Sequence, residues 1–330
     1  MQFYLRDNIL NDDVEKEPIR AGFGRGLKAA GDKDENIVAL CADLTESTQM
    51  HLFKNAHPNR FIETGIAEQN LVTVAAGLAR TGKIPFTSSY AAFSPGRNWE
   101  QIRTTACLNE MPVKIIGSHA GISVGPDGAT HQMLEDIALM RVLPHMVVIA
   151  PGDSIEAEKA TQAIAENNSP SYLRLARDKT PIFSTEKSPF EIGKAYVLRK
   201  GHDVALFGTG AMTYELLRAA QILADNFAIE AEVVHVPTIK PLDTETLLES
   251  ARRCGRVVTA EEAQIAGGFG SAVAELLSEQ LPMPLKRLGM NDRFGESGQP
   301  AQLMDHFGLT GEKMAKQIVQ FVQNSYQYHQ

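Results

Sequence analysis

The chain has 330 residues, of which 43% are hydrophobic and 22% charged, and its formal net charge is -8. This length allows two domains with separate cores, and the composition is that of ordinary globular proteins. The acidic balance argues against general nucleic-acid binding, and no apolar run is long enough to span a bilayer. Three widely spaced cysteines form no disulfide or zinc pattern, and the N-terminus has no signal-peptide pattern. We therefore expect a soluble, cytoplasmic protein that binds neither nucleic acid nor membrane.

Short apolar runs alternate with helical patterns along the first half of the chain. A helix is predicted from Pro18 to Ala30, and strands are predicted at 36–40, 61–64, 84–86, 113–117, 146–150 and 171–175. Such alternation is typical of a parallel sheet with helices on both faces. The stretch 178–193 contains two prolines and has no helical period, which is typical of a linker.

The same alternation resumes after the linker, with predicted strands at 203–207, 231–236 and 256–260 and a helix at 212–226. The sequence therefore predicts an α/β protein built from two consecutive three-layer α/β domains. We assign residues 1–178 to the first domain, 179–193 to the linker and 194–330 to the second domain. The tail 324–330 is expected to fray.

Glu68 lies in the stretch 65–70, GIAEQN, between a predicted strand and a helix rich in small residues. It would begin that helix with apolar neighbours on either side, where a carboxylate can have an unusual proton affinity. The alternative is that Glu68 only complements the helix dipole from the first turn.

Tyr90 and Phe93 are three residues apart, so on a helical turn they would share a face. Core packing alone also explains such a pair. The sequence therefore leaves open whether these rings belong to a binding site or to the core.

The loop 119–132 directly follows the predicted strand 113–117 and carries His119, Asp127 and His131. Loops at the carboxyl edge of a parallel sheet commonly bind ligands. The spacing of these residues matches no metal-binding pattern, so no metal site is predicted in this chain.

Basic side chains stand singly at predicted loop edges, with Arg20 at a helix start, Arg177 at a strand end and His131 in the loop. Each alone is an ordinary surface charge. Together they could clamp a phosphate, because guanidinium groups match phosphate geometry.

The order and spacing of these motifs resemble the C-terminal half of a transketolase. The resemblance is carried by GIAEQN at 65–70, YAAF at 90–93, the loop from His119 to DGATHQ at 127–132, and LAR at 175–177. It implies a pyrimidine-binding fold for thiamine diphosphate, followed by a transketolase C-terminal-like domain. In that family the cofactor lies between a pyrimidine-binding and a diphosphate-binding domain, usually from different subunits.

The resemblance also implies a role for each candidate residue. Glu68 would hydrogen-bond a ring nitrogen of the aminopyrimidine and favour the tautomer that accepts the proton from the thiazolium. Tyr90 and Phe93 would stack on the pyrimidine, and Asp43 would lie near the cofactor. His119 and Asp127 would contact the sugar hydroxyls. The sugar phosphate would be held by His131, Arg20, Ser47 and Arg177.

Two departures from the family pattern have consequences. The family usually has a third aromatic after the Phe93 position, whereas this chain has SPG at 94–96, with Trp99 as the nearest substitute. The diphosphate-binding signature, Gly-Asp-Gly with a later Asn, is missing. The resemblance then implies a split enzyme, whose separate N-terminal subunit would hold the diphosphate and Mg²⁺, in an α2β2 heterotetramer.

The implied activity is that of a transketolase in carbohydrate metabolism, which transfers a two-carbon ketol unit from a ketose phosphate to an aldose phosphate. Deoxyxylulose phosphate synthase and the β subunit of 2-oxo acid dehydrogenases share the architecture. The former typically lacks a histidine at the His119 position, and the latter lacks the Asp-Gly-x-Thr-His-Gln loop. A non-catalytic binding or scaffold module is the alternative of a different class.

Overall fold

Strands and helices alternate along residues 2–11 and 13–327, which are the residues that the computed structural model describes. The strands are β1 (Lys16–Pro18), β2 (Ile37–Cys41), β3 (Phe61–Glu63), β4 (Ile84–Tyr90), β5 (Lys114–Ser118), β6 (Val147–Ile149), β7 (Ser171–Arg174), β8 (Lys179–Pro181), β9 (Tyr196–Arg199), β10 (Val204–Gly208), β11 (Ala231–His235), β12 (Thr238–Lys240), β13 (Val257–Gln264) and β14 (Leu285–Met290). The α-helices are α1 (Ile19–Lys33), α2 (His51–Ala56), α3 (Glu68–Arg80), α4 (Trp99–Gln101), α5 (Asp136–Arg141), α6 (Ser154–Glu166), α7 (Met212–Phe227), α8 (Thr244–Cys254), α9 (Phe269–Gln280), α10 (Pro300–His306) and α11 (Gly311–Gln327). None of the helices in these ranges is both long and apolar enough to cross a membrane.

The first sheet has seven strands in the order β12-β6-β7-β5-β4-β2-β3. Its six strands from the first half of the chain are parallel to one another. Alternate residues of β2 face opposite ways, because Val38 and Leu40 pack with α3 whereas Ile37 and Ala39 pack with α1 and α6. Both faces of the sheet are therefore covered, which explains why this strand is apolar at every position.

The second sheet has five strands in the order β14-β13-β10-β11-β9, with only β9 antiparallel to its neighbour. Val204 and Leu206 of β10 pack with α7 and α11, while Ala205 and Phe207 pack with α8 and α9. The predicted fold class, two three-layer α/β domains in tandem, is confirmed.

The two halves share a sheet edge and a core. Strand β12 comes from the second half, yet it pairs antiparallel with β6 of the first sheet. Next to it, the N–H of Ala150 donates to the carbonyl of Pro237 at 2.8 Å, and the N–H of Gly210 donates to the carbonyl of Ala150 at 3.0 Å. One apolar cluster also extends from Val38 to Leu277 through both sheets.

Three local predictions differ from the structure. The strand predicted at 84–86 continues to Tyr90. The sequence pattern misses this extension because the three residues after Phe86 are polar, although they are buried. The segment predicted as a linker, 179–193, contains β8, which pairs antiparallel with β1. Phe183 of the same segment is fully buried. Helix α11 extends through Gln327, so residues 324–327 of the predicted tail are helical. Residues 328–330 lie outside the described part of the chain.

Candidate active site

The predicted site residues collect at one edge of the first sheet, where its parallel strands end. Strands β7, β5, β4, β2 and β3 are neighbours in that order. Tyr90 pairs with Ser118, so the ends of β4 and β5 are level. The segments that follow these ends carry, in sheet order, Arg177, then His119, Asp127 and His131, then Phe93, then Asp43 and Ser47, and then Glu68. Open α/β sheets bind ligands at this edge.

Glu68 is the first residue of α3, and only 3% of it is exposed. Its Oε2 lies 2.7 Å from Nη1 of Arg97, and its backbone carbonyl accepts a 2.8 Å hydrogen bond from Nδ2 of Asn98. A buried carboxylate is costly unless it is paired, so Arg97 offsets the burial of Glu68. Within the described residues Oε1 of Glu68 accepts no hydrogen bond, which leaves it free for a further partner.

Arg97 is a site residue that the sequence does not predict. Its guanidinium carbon lies 4.8 Å from the centre of the Phe93 ring, so it connects the buried carboxylate to an aromatic face. Its only sequence signal is its place just after the stretch where a third aromatic is expected. Trp99, the nearest substitute for that aromatic, donates its indole N–H to the Leu139 carbonyl at 2.7 Å and packs its ring against the core.

Four rings form one cluster beside this carboxylate. Tyr90 stacks on His119 with a centroid distance of 3.9 Å and on Phe93 with a centroid distance of 6.1 Å. His131 meets Phe93 edge-on at 5.4 Å. Tyr90 ends a strand instead of lying on a helix, but its ring and that of Phe93 do share a face. The structure therefore brings together the predicted cofactor rings and both loop histidines.

His119 occupies the left-handed backbone region, with a φ of 57°, which is uncommon outside glycine and frequent at functional sites. Its Nδ1 lies 2.9 Å from Oγ of Ser118, and its side chain is buried. Burial, together with the nearby charges of Arg20, Arg177 and His131, lowers the pKa of His119 to about 3. The imidazole is therefore neutral at physiological pH and serves as a hydrogen-bonding group.

Arg20 and Arg177 line a cavity of about 360 Å³, and the charges of both act on His119 of the ring cluster. Nη1 of Arg20 donates to the carbonyl of Arg177, and Nη1 of Arg177 donates to the carbonyl of Val124. Nε of Arg20 is buried without a partner in the described structure. Burial, together with the charge of Arg177, lowers the pKa of Arg20. Lys179, which the sequence does not single out, lines the same cavity. This arrangement suits an anionic group.

Three predicted residues lie on this edge of the sheet without a side-chain contact to the cluster in the described structure, namely Asp43, Ser47 and Asp127. The N–H of Asp43 donates to Oε1 of Glu63 at 2.8 Å, and the N–H of Gly65 donates to the same oxygen at 3.0 Å. Glu63 therefore ties the loop after β2 to the stretch that leads into Glu68. Asp127 is exposed at the end of a 3₁₀ turn, Ile122–Asp127.

No group of three or more His, Cys, Asp or Glu side chains within residues 2–11 and 13–327 is arranged to hold a metal ion. The side chains gathered at this edge carry carboxylate, imidazole, guanidinium and aromatic groups. Such a set can bind a flat heterocycle beside an anionic, hydroxyl-bearing molecule.

Two family profiles together match most of the chain. Residues 15–182 match the transketolase pyrimidine binding domain, and residues 193–314 match the transketolase C-terminal domain.

Several curated relatives are similar over most of this chain. A transketolase C-terminal section from Methanocaldococcus jannaschii is 47% identical, covering 92% of this chain and 95% of the relative. A 6-deoxy-6-sulfo-D-fructose transketolase subunit from Clostridium sp. (strain MSTE9) is 44% identical, with coverages of 86% and 88%. A 1-deoxy-D-xylulose-5-phosphate synthase from Thermomicrobium roseum is 40% identical, but this chain spans only 48% of it.

Two solved structures are also similar. One, described as a split gene transketolase in an inactive beta4 tetramer, has a TM-score of 0.86 at 44% identity and covers 93% of this chain and 98% of its own. The other, a transketolase from Campylobacter jejuni, has a TM-score of 0.78 at 24% identity, and the match covers 95% of this chain and 50% of its own. The second similarity concerns the fold alone.

Proposed function

Since the chain belongs to the transketolase family, as a C-terminal section with pyrimidine-binding and C-terminal domains, we propose that it is the C-terminal subunit of a split transketolase. The enzyme transfers a two-carbon ketol unit from a ketose phosphate to an aldose phosphate. It uses thiamine diphosphate, which this chain holds jointly with an N-terminal partner. The family generally uses thiamine diphosphate and a divalent metal ion.

One observation carries this proposal: a buried carboxylate, stacked aromatic rings and an arginine-lined cavity lie side by side at one sheet edge. Oε1 of Glu68 is available for a ring nitrogen, and Tyr90 and Phe93 offer flat faces to a heterocycle. The donor set therefore fits the pyrimidine end of thiamine diphosphate. When bound, the cofactor supplies a nucleophilic carbon that breaks and forms carbon–carbon bonds next to a carbonyl group.

One group of side chains in this chain is proposed to bind the cofactor. With the cofactor bound, Glu68 would share a proton with a pyrimidine nitrogen, and Tyr90 and Phe93 would hold the plane of that ring. Asp43, at the neighbouring strand end, borders the cofactor.

The substrate side uses the loop and the arginine cavity. Neutral His119 and the carboxylate of Asp127 hydrogen-bond the sugar hydroxyls. Arg20 and Arg177 bind the phosphate through their guanidinium groups. His131 and Ser47 complete that contact from the segments that follow β5 and β2.

The partner subunit supplies what this chain does not offer. Its diphosphate-binding site holds Mg²⁺, and two such partners join two copies of this chain in a heterotetramer. Ile66 lies two residues before Glu68 and is 74% exposed. An exposed large apolar side chain at this position supports the proposal that the partner subunit binds here. The similarity to a transketolase C-terminal section and to a split gene transketolase supports a separate N-terminal partner.

A deoxyxylulose phosphate synthase-like reaction is the second candidate, because a synthase is 40% identical to this chain. The histidine at position 119 favours sugar ketol transfer over it. The substrate pair decides between them: xylulose 5-phosphate plus ribose 5-phosphate for one, and pyruvate plus glyceraldehyde 3-phosphate for the other. A sulfonated ketose donor is a third assay, prompted by the Clostridium relative.

The decisive experiment is to co-purify the native complex, identify its second chain and reconstitute the two purified subunits. We expect tight thiamine diphosphate and Mg²⁺ binding, measured by calorimetry, and ketol transfer only when both chains are present. Ketol transfer at a normal rate by this chain alone would exclude the split-subunit assignment. Tight cofactor binding without any of the three reactions would favour a binding module.

A further inference from the structure

Three glycines of the loop 119–132 lie directly against the C-terminal domain. They are Gly121, Gly125 and Gly128, with φ of 91°, 82° and 74°. A Cβ atom at Gly121 would lie 2.5 Å from the carboxylate carbon of Glu262, and one at Gly128 would lie 2.5 Å from Oγ of Ser297. The loop therefore needs glycine both for its backbone conformation and for its close approach to the second domain.

Glu262 contacts this loop through its side chain. It lies on β13, is 4% exposed, and its Oε1 accepts a hydrogen bond from the backbone N–H of Ser123. Its carbonyl accepts a 2.8 Å hydrogen bond from Nη2 of Arg174, whose Nε donates to Asp136 at 2.8 Å. Glu262 is thus anchored to β7 of the first domain, so it offers Ser123 a fixed acceptor.

Gln132 makes a second connection at the far end of the loop. Its Nε2 donates to the carbonyls of Gly125 at 3.1 Å and Glu296 at 2.8 Å. The loop is thereby closed on itself and fastened to the segment 295–300 that precedes and begins α10. A Cβ at Gly295 would overlap Oε1 of Gln132, so the fit there is close.

These contacts surround residues to which the proposed function gives roles. His119 begins the loop, Asp127 lies between two of its glycines, and His131 is next to Gln132. Arg177 also donates to the carbonyl of Val124, within the segment that Glu262 holds. The backbone at 123–124 therefore contacts both Arg177, which lines the arginine cavity, and Glu262 of the C-terminal domain.

We propose that the C-terminal domain positions the sugar-binding loop, with Glu262 as its positioning residue. Glu262 touches neither cofactor nor sugar; it fixes Ser123 and thereby the histidines and Asp127 around it. The statement about the sugar rests on the proposed function, whereas the statement about loop order does not. The C-terminal domain then contributes to the substrate site by holding its loop in place.

Hydrogen–deuterium exchange on the full chain tests loop order without any assay of activity. We expect Glu262→Ala to speed exchange in peptides from 119–132 by about tenfold or more, since the buried N–H of Ser123 loses its acceptor. Glu262→Gln keeps an acceptor oxygen for Ser123 and should stay within about threefold of wild type. Peptides from α3 should exchange unchanged in both variants.

Glu261→Ala is the matched control. Glu261 is the neighbouring buried carboxylate of β13, but it accepts hydrogen bonds from the N–H groups of Phe269 and Gly270 and has no bond to the loop. Loop exchange that rises equally in Glu261→Ala would show general destabilisation and overturn the proposal. So would unchanged loop exchange in Glu262→Ala, or a Glu262→Gln variant as fast as Glu262→Ala.

Kinetics of the reconstituted enzyme test the consequence for substrate. Glu262→Ala should raise KM for the sugar phosphates about tenfold while kcat falls less than about threefold. The dissociation constant of thiamine diphosphate should not change, and Glu262→Gln should restore KM. A parallel loss of cofactor binding would contradict the positioning role. If wild-type chains show no ketol transfer, the proposed function fails, and the exchange data still decide whether Glu262 holds the loop.

Discussion

Arg97 and Glu68 form an ion pair with an N–O distance of 2.7 Å. The side chain of Glu68 is buried, at 3% exposed, whereas that of Arg97 is 48% exposed. The buried end loses its hydration on folding, so it depends on the pair more than the exposed end does. Arg97 also lies over Phe93. A single exposed side chain therefore contacts two of the groups proposed to hold the pyrimidine, Glu68 and Phe93.

The first prediction is a thermodynamic coupling between these two residues. Arg97→Gln should lower the free energy of unfolding by about 1–3 kcal/mol, because it leaves a buried carboxylate without its cation. In a Glu68→Gln background the same change should cost less than about 0.5 kcal/mol. Urea denaturation of the four proteins in the cycle measures both values. Additive effects would show that the pair does not stabilise Glu68.

The second prediction concerns the role of Glu68 in proton sharing. Glu68→Gln keeps an acceptor for Arg97 and nearly the same volume, so the fold and the melting temperature should change little. The reconstituted enzyme should nevertheless lose about 100-fold or more in kcat, because the amide cannot share a proton with the pyrimidine. Steady-state kinetics measures the loss of kcat, and circular dichroism measures the fold and the melting temperature. Wild-type turnover would exclude the cofactor role.

Much of the fold follows from local sequence, and the reasons are visible in individual elements. Strand β2 is apolar at every position because both of its faces are buried, so its apolar run identifies it. Strands β1, β8 and β12 have only three residues each and pair with distant parts of the chain. Their stability comes from tertiary pairing, which no local pattern reveals.

The candidate site divides in the same way. Glu68, Tyr90 and His119 lie at or after strand ends, where the topology of a parallel sheet gathers loops, and the family resemblance of their motifs is what singled them out. Arg97 and Glu262 could not, since an exposed arginine and a charged residue in a strand have no distinctive sequence pattern. Their importance arises only from what folding places beside them, a buried carboxylate for one and the Ser123 amide for the other.

The third prediction is that His119 remains neutral across the working pH range. Its pKa in the folded chain is about 3, against 6.5 in the unfolded chain, because burial disfavours the charged ring. As pH falls below 6.5 the unfolded chain takes up this proton first, so the contribution to stability is complete above pH 6.5 and is lost towards pH 3. The imidazole resonances of His119, assigned with His119→Gln, should not move between pH 5 and 8. A titration midpoint within that range would contradict the burial argument.

The fourth prediction separates binding from chemistry in the arginine cavity. Arg20→Ala or Arg177→Ala should raise KM for phosphorylated sugars about tenfold while kcat falls less than about threefold, as expected for uniform binding contacts. Arg25→Ala is the control, because Arg25 of α1 pairs with Glu17 of β1 and Glu158 of α6 instead of lining the cavity. An unchanged KM in the first two variants would make them ordinary surface charges.

The fifth prediction concerns Glu261, whose carboxylate is fully buried and accepts hydrogen bonds of 2.7 and 2.8 Å from the first turn of α9. Burial raises its pKa from 4.5 to about 7, since those bonds only partly offset the loss of hydration. A raised pKa means that the folded chain binds this proton more tightly. Its contribution to stability is therefore complete below pH 4.5 and is lost as pH rises to 7.

Glu261→Gln removes that titration and should become progressively more favourable relative to wild type between pH 4.5 and 7, by on the order of 3 kcal/mol in all. Above pH 7 the difference should stay constant. Glu279→Gln, which removes an exposed carboxylate from the last turn of α9, supplies the control for net charge and should show no comparable trend. Urea denaturation at intervals from pH 4.5 to 8.5 measures the three curves. Parallel curves for wild type and Glu261→Gln would mean that Glu261 ionises as easily in the folded chain as in the unfolded one.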